Sequence, residues 1–215
     1  MPIVKNYTCE PRKNIVFNSI DCFEDSPVYE YATEVFESLK DNLNEFLDLS
    51  MIYTNVEIAK EIEFHIPKCY NKLCLCFVTL GTKVLDKIQE YFEEDSYFEG
   101  MLLDSICDDI LFQYSNKLAQ HIKELAENNN QGVSKKISPG DDQYPMEYNK
   151  FIIDNLIEKE KLDINIGYTE SYMIYPVKSL AFIYAQGDNI KSEKDHNCAL
   201  CKNTDCKFRE EKICH

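Results

Sequence analysis

Four thiols crowd the end of this chain. Cys198, Cys201, Cys206 and Cys214 follow the spacing Cys-x2-Cys-x4-Cys-x7-Cys, with His196 just before them and His215 adjacent to the last. The segment has few large apolar residues, chiefly Leu200, Phe208 and Ile213, so core packing does not account for the cysteines. A metal centre does, because thiolates neutralised by a cation can order a segment too small to fold by itself. Two metals suit the pattern. Zinc takes a tetrahedral set of four thiolates, usually from two Cys-x2-Cys knuckles, and only one knuckle is present here. An iron–sulfur cluster also takes four cysteines, spread over a larger cage, and suits Cys-x2-Cys-x4-Cys with a more distant fourth cysteine somewhat better. A 4Fe–4S cluster is therefore the first expectation, zinc the alternative, and a tail without a native metal the third. The spacing is not the bacterial ferredoxin run, so a low-potential ferredoxin is not implied.

A second group of chemistry-bearing residues lies in 134–188. It begins at the bend Lys136-Ile137-Ser138-Pro139-Gly140, which joins a residue restricted before proline to a glycine free to take positive φ. Backbone N–H groups exposed in such a bend can approach a ligand closely. A helix from about 145 follows, and then Thr169-Glu170-Ser171-Tyr172-Met173-Ile174-Tyr175-Pro176-Val177-Lys178-Ser179. This turn gathers a carboxylate, hydroxyls, aromatics and a lysine between two apolar, strand-like runs. Polar groups held between strands are candidates for a ligand site on a rigid frame, and ordinary surface turns are the competing reading.

The elements that must position these residues follow from hydrophobic period. Asn14-Ile15-Val16-Phe17 suggests a short strand. From Pro27 to about Leu49 the residues Val28, Val35, Phe36, Leu39, Leu43, Phe46 and Leu47 fall at helical steps, with Ser26 as the expected N-cap. A strand is expected over 51–58 and a central strand over 72–80. On the latter, Cys74 and Cys76 share one face as small buried hydrophobes. Helices are predicted over 82–95 and 96–128, the second with a wide buried stripe. Cys107 lies there beside Asp104, Asp108 and Asp109, acids read as a solvated face, and His121 is read as packing or surface. The polar stretch 189–197 looks like a linker. The predicted organisation is one domain over 1–188 and a cysteine-rich tail over 189–215.

Composition narrows the function. With 44% hydrophobic residues, twelve Phe and fourteen Tyr in 215 residues, the chain can bury one good core. Twenty-three basic against 38 acidic residues leave a net charge of −15, which repels phosphate backbones and argues against nucleic acid. No membrane span or signal pattern is seen, so a soluble, cytoplasmic protein with reduced thiols is expected. No Ser-His-Asp set, GxxxxGKS loop or HExxH helix supports hydrolase or nucleotide chemistry.

The xISPG bend, a helix of about fifteen residues, TES, and MxxPxKS before an apolar strand together resemble the activation domain of cobalamin-dependent methionine synthase. They are most similar to free-standing relatives of that domain that occur with corrinoid proteins in anaerobes. Leu73-Cys74-Leu75-Cys76-Phe77-Val78-Thr79-Leu80-Gly81 and Tyr97-Phe98-Glu99-Gly100-Met101-Leu102-Leu103-Asp104 share the family's cadence, so the resemblance spans roughly 50–188. It implies an α+β fold with a twisted, largely antiparallel sheet and packed helices. In the synthase this domain binds S-adenosylmethionine and presents it to oxidised cobalamin during reductive reactivation.

By that resemblance, a ligand would contact Lys136, Ser138, Pro139, Gly140, Glu170, Ser171, Tyr175 and Lys178, and no catalytic residue is identified. Two positions depart from the family: Lys136 stands where it has a ligand-binding arginine, and Asp141 where it has a tyrosine. Lysine is a point charge where arginine is a planar fork. The tail resembles cysteine-rich ends of the free-standing relatives and is lacking in the synthase. The expected function is an accessory role in reductive activation or maintenance of a corrinoid protein, with an iron–sulfur centre in the tail relaying electrons. Expected partners are a corrinoid-binding protein carrying cobalamin and an electron-donor protein. The alternative is a non-catalytic corrinoid or S-adenosylmethionine-binding module with a structural metal.

Overall fold

The apolar run at 72–79 lies at the centre of the fold. The computed structural model describes residues 8–58, 66–141, 144–161 and 165–195. In chain order these form α1 (Lys13–Ser19), α2 (Tyr29–Phe46), β1 (Ser50–Glu57), β2 (Lys72–Thr79), α3 (Lys83–Glu93) and α4 (Tyr97–Asn128). Then come β3 (Gln131–Val133), α5 (Tyr148–Glu160), β4 (Gly167–Tyr168), β5 (Ile174–Tyr175) and β6 (Ser179–Asp188). The main sheet is antiparallel with strand order β1-β2-β6-β3, and β4 and β5 form a separate small ribbon. The fold is α+β, as expected.

Strand period decides the layers. Successive side chains of a strand point to opposite faces, and β2 is apolar on both. Cys74, Cys76 and Val78 join Phe182 and Tyr184 of β6 in a core with α1 to α4. Leu73, Leu75 and Phe77 join Ala181, Ile183 and Ala185 in a second core, closed by Ile152, Ile153 and Leu156 of α5. The sheet is thus sandwiched between helices on both faces. Cys74 and Cys76 lie side by side with sulfurs 3.8 Å apart and buried. Burial and the neighbouring thiol push the Cys76 thiol up, so it packs as a neutral group.

α4 spans about 48 Å at 1.5 Å per residue and buries Leu102, Leu103, Ile106, Ile110, Leu118 and Ile122 against the sheet. His121 packs edge-on to Tyr53, ring centroids 5.8 Å apart. No helix among the described residues is long and apolar enough to cross a membrane.

Several expectations are corrected. Ile15, Val16 and Phe17 are buried in helix α1 rather than a strand, since a four-residue apolar run does not distinguish the two. What favours the helix is remote in sequence. Arg12, its N-cap residue, donates its backbone N–H to Asp109 Oδ2 at 2.7 Å and its guanidinium to Oδ1 at 2.7 and 3.0 Å. Asp109 is consequently fully buried and paired, not on a solvated face. α2 starts at Tyr29 instead of Pro27, because Ser26 Oγ accepts the Phe23 N–H and leaves the helix uncapped by a side chain. α5 likewise starts at Tyr148, after a turn in which Pro145 C=O accepts the Tyr148 N–H.

The stretch read as a linker is held down as far as it is described. Val133 C=O accepts the Glu193 N–H at 2.7 Å, and Tyr70 donates to the Glu193 carboxylate at 2.6 Å. Asp195 accepts from Lys123 at 2.7 Å, from Tyr184 at 2.5 Å and from the Lys136 N–H at 2.8 Å. Polar residues without an apolar period can be fixed by hydrogen bonds alone, and that leaves no periodic mark.

Candidate functional site

The bend 138–140 and the turn 169–179 are joined through the start of α5. Gly140 adopts φ +94, as its place in the bend requires. Its N–H donates to Tyr144 C=O at 2.7 Å, and Asp141 N–H donates to Ser138 C=O at 3.2 Å. These two amides are therefore engaged within the protein. One helical turn on, Asn149 Nδ2 donates to Tyr172 C=O at 2.9 Å and ties the second turn to the same end of α5.

The turn 169–173 also closes on itself. Thr169 N–H donates to Met173 C=O at 2.8 Å, Tyr172 N–H donates to Thr169 C=O at 2.9 Å, and the Thr169 and Ser171 hydroxyls lie 3.0 Å apart. Tyr172 takes φ +62, a left-handed conformation that a tyrosine adopts only where its surroundings demand it. Glu170 and Ser171 are exposed. Beyond them the chain presents Met173, 57% exposed, Tyr175, and Val177, 70% exposed. The Tyr175–Pro176 peptide bond is cis. The Tyr175 ring lies across Gly167, where a Cβ would fall 2.1 Å from its hydroxyl oxygen.

The two lysines face the other way. Ile137 pairs with Ile183 and packs in the α5-side core, so its chain neighbour Lys136 points to the opposite layer. There its Nζ donates to Ser115 Oγ of α4 at 2.5 Å and lies 4.1 Å from the Phe182 ring centroid. Desolvation lowers its pKa, opposed by the Cys76 thiol and Asp195. Lys178 has 7% of its surface exposed and reaches Asp108 Oδ1 at 2.6 Å and Asp104 Oδ1 at 2.8 Å, also on α4. Burial alone would lower its pKa; the hydrogen bonds to the two carboxylates outweigh it and hold the ammonium above its ordinary value. Burial pushes Asp108 up despite Lys178, and it pushes the adjacent Cys107 thiol up to about 12. Seven residues of helix, about 10 Å, separate Asp108 from Ser115. The two lysines thus occupy different places on α4.

Of the eight positions singled out in sequence, Ser138, Pro139, Gly140, Glu170, Ser171 and Tyr175 lie on bends connected through α5, whereas Lys136 and Lys178 are anchored to α4. Asn149 and Asp195 were missed in sequence. The alternation of Lys136 with Ile137 was the one available signal that the lysine turns inward. Among the described residues no three His, Cys, Asp or Glu side chains are grouped to hold a metal. Cys198, Cys201, Cys206 and Cys214, with His65 and His196, lie outside the described residues.

No family model matches this chain, and no curated protein matches it. Among solved structures, a crystal structure of the MetH reactivation domain bound to AdoHcy is similar, with a TM-score of 0.54 and 17% identity. The match covers 78% of this chain and 69% of that one. At this identity the likeness is one of fold, and the chain shares its α+β architecture with that domain.

Proposed function

We propose that this protein assists the reductive activation or maintenance of a corrinoid protein. The observation that carries the reading is the shared fold with the MetH reactivation domain over 78% of the chain, joined to the sequence resemblance in 169–179. The geometry supports it with a preordered surface. Met173, Tyr175 and Val177 stand out from a turn closed by Thr169, tied to α5 by Asn149 and to α4 by Lys178. Apolar side chains on a fixed turn can lie against a corrin ring held by a partner with little ordering cost on binding.

The thiols Cys198, Cys201, Cys206 and Cys214 are the proposed ligands of an iron–sulfur cluster, which when bound supplies single electrons for cobalt reduction. The chain leaves for them from Asp195, which α4 and β6 hold through Lys123 and Tyr184. An electron-donor protein supplies the reductant. The ammonium of Lys136 is engaged with Ser115, and the Gly140 and Asp141 N–H groups are satisfied internally, so the carboxylate of S-adenosylmethionine would have to be held by groups other than these three. No step is assigned to it.

The test begins with anaerobic purification and determination of iron, acid-labile sulfide and zinc. Reduction of cob(II)alamin on a corrinoid protein is then followed by its visible spectrum, with the wild type and with Cys201→Ala. Equal iron and sulfide, faster reduction, and loss of that gain in the variant are expected. Zinc without sulfide would move the assignment to a corrinoid-binding module with a structural metal. Reduction rates unaffected by the wild-type protein would refute the accessory role.

A further inference from the structure

The largest exposed apolar side chains are not spread evenly. Val28 and Tyr31 at the start of α2, and Phe92, Tyr97 and Met101 where α3 turns into α4, are each more than 40% exposed, Tyr97 at 59%. They are brought together by packing. The Tyr31 ring lies 5.4 Å from Phe98, and its hydroxyl bonds Glu99. Phe92 lies 6.1 Å from Tyr97, and a Cβ at Gly100 would sit 3.2 Å from the Phe92 ring. Met101 follows Tyr97 by one helical turn. Exposed apolar groups clustered in this way mark interaction surfaces more often than do scattered ones.

The sequence around this cluster is predominantly acidic, with Lys13 over the Tyr29 ring and Lys87 over the Tyr91 ring as its neighbouring cations. Segments 14–39 and 88–116 contain 14 acidic residues and no Lys or Arg. Cations reach some of these acids from outside: Arg12 on Asp109, Lys87 on Glu90, and Lys178 on Asp104 and Asp108. Among the described residues, Glu30, Glu34, Glu93, Glu94, Asp95 and Glu99 have no salt-bridge partner, and these flank the aromatics in sequence. An apolar centre with unpaired acids at its rim is complementary to an apolar centre with a basic rim.

We infer that the corner formed by the start of α2 and the α3–α4 turn is a docking surface for a protein partner whose contact face is apolar and ringed by lysine or arginine. A second copy of this chain does not fit, because it would set acid against acid. An anionic lipid surface does not fit for the same reason. The inference does not rest on the proposed corrinoid function, and it concerns a different face from the turn 169–179.

The probe is a fluorescent synthetic amphipathic helix of leucine and lysine, titrated against the full chain by anisotropy and mapped by hydrogen exchange. The same peptide with glutamate for lysine serves as control. Protection confined to the Tyr31, Phe92 and Tyr97 region is expected, with weaker binding at higher salt and none for the glutamate peptide. Tyr97→Ser/Met101→Ser and Glu93→Lys/Glu94→Lys should each weaken binding about tenfold, whereas Met173→Ser/Val177→Ser should leave it unchanged. Sedimentation and vesicle flotation complete the test. Protection elsewhere, equal losses in all three variants, absence of binding, dimerisation through this face, or binding to anionic vesicles would each overturn the proposal.

Discussion

Replacing Lys178 by methionine tests whether the turn 169–179 is held from α4. Methionine keeps the apolar stem and removes the ammonium that bridges Asp104 and Asp108 at 2.8 and 2.6 Å. Breaking a fully buried pair costs about 3–5 kcal/mol, and hydrogen bonds to charged groups contribute about 1.5–3 kcal/mol. Here the carboxylates keep 46% and 42% of their exposure. Water therefore re-solvates them in the variant, and a loss of about 2 kcal/mol is expected. For a chain of this size that lowers Tm by about 4–8 °C. Urea unfolding followed by circular dichroism gives the value directly, with an unchanged m. The chain has no tryptophan, so tyrosine fluorescence is the second probe. Asp108→Asn should cost less in the Lys178→Met background than alone, because Asp104 and Asp108 then repel each other without a cation between them. The raised pKa of Lys178 adds a pH signature. Its stabilisation is complete below the unfolded value near 10.5 and is lost as pH rises through the higher folded value, in wild type only. A loss under about 0.5 kcal/mol, or full additivity of the two substitutions, would refute the clamp.

Two further outcomes follow from the same structure. Burial works to raise the Asp195 pKa, but hydrogen bonds from Lys123, Tyr184 and the Lys136 N–H outweigh it and hold it below the usual carboxylate value. Its stabilisation is therefore present above about pH 4 and lost as pH falls through the folded value. Asp195→Asn should cost about 2 kcal/mol at neutral pH, and the gap from wild type in urea unfolding should narrow on acidification; a gap constant with pH would contradict the assignment. Gly167→Ala should expel the Tyr175 ring at about 1–3 kcal/mol and cost under about 0.5 kcal/mol in a Tyr175→Ala background. Equal costs in both backgrounds would show that the ring does not lie across the glycine.

What the sequence revealed, and what it concealed, follow one physical rule. The continuous apolar run of β2 and the wide stripe of α4 exist because those elements are buried on two faces or along most of a helix, and burial leaves a period in the sequence. The central strand and the long helix were legible for that reason, whereas the α+β fold was an expectation from the family resemblance. Polar contacts between distant residues leave no period. Arg12 with Asp109, Asn149 with the Tyr172 carbonyl, and Asp195 with Lys123 and Tyr184 could not be read locally. Two of these also decided something misread in sequence: Arg12 with Asp109 settled a helix taken for a strand and a buried acid taken for a surface one, and Asp195 a held segment taken for a linker. The tail thiols were legible by spacing alone, and their site lies beyond the described residues.

The two lysines most open to a ligand reading are both held by α4. Lys136 and Lys178 emerge from the chain beside the two bends, yet both deliver their ammonium groups to this one helix, to Ser115 and to Asp104 with Asp108. A ligand that recruited either lysine would have to break an internal contact made largely out of water, which costs more than using a free surface cation. The bends are thus fixed before anything binds, and the groups left to contact a ligand or partner at 169–179 are apolar, hydroxyl and carboxylate. Lys178 also divides α4 electrostatically. One ammonium lies against Asp104 and Asp108, whereas Glu93, Glu94 and Asp95, where α3 turns into α4, and Glu99 have no salt-bridge partner among the described residues. The strongest attraction for a basic partner therefore lies at the α3–α4 corner, and the turn 169–179 is a separate surface of apolar, hydroxyl and carboxylate groups.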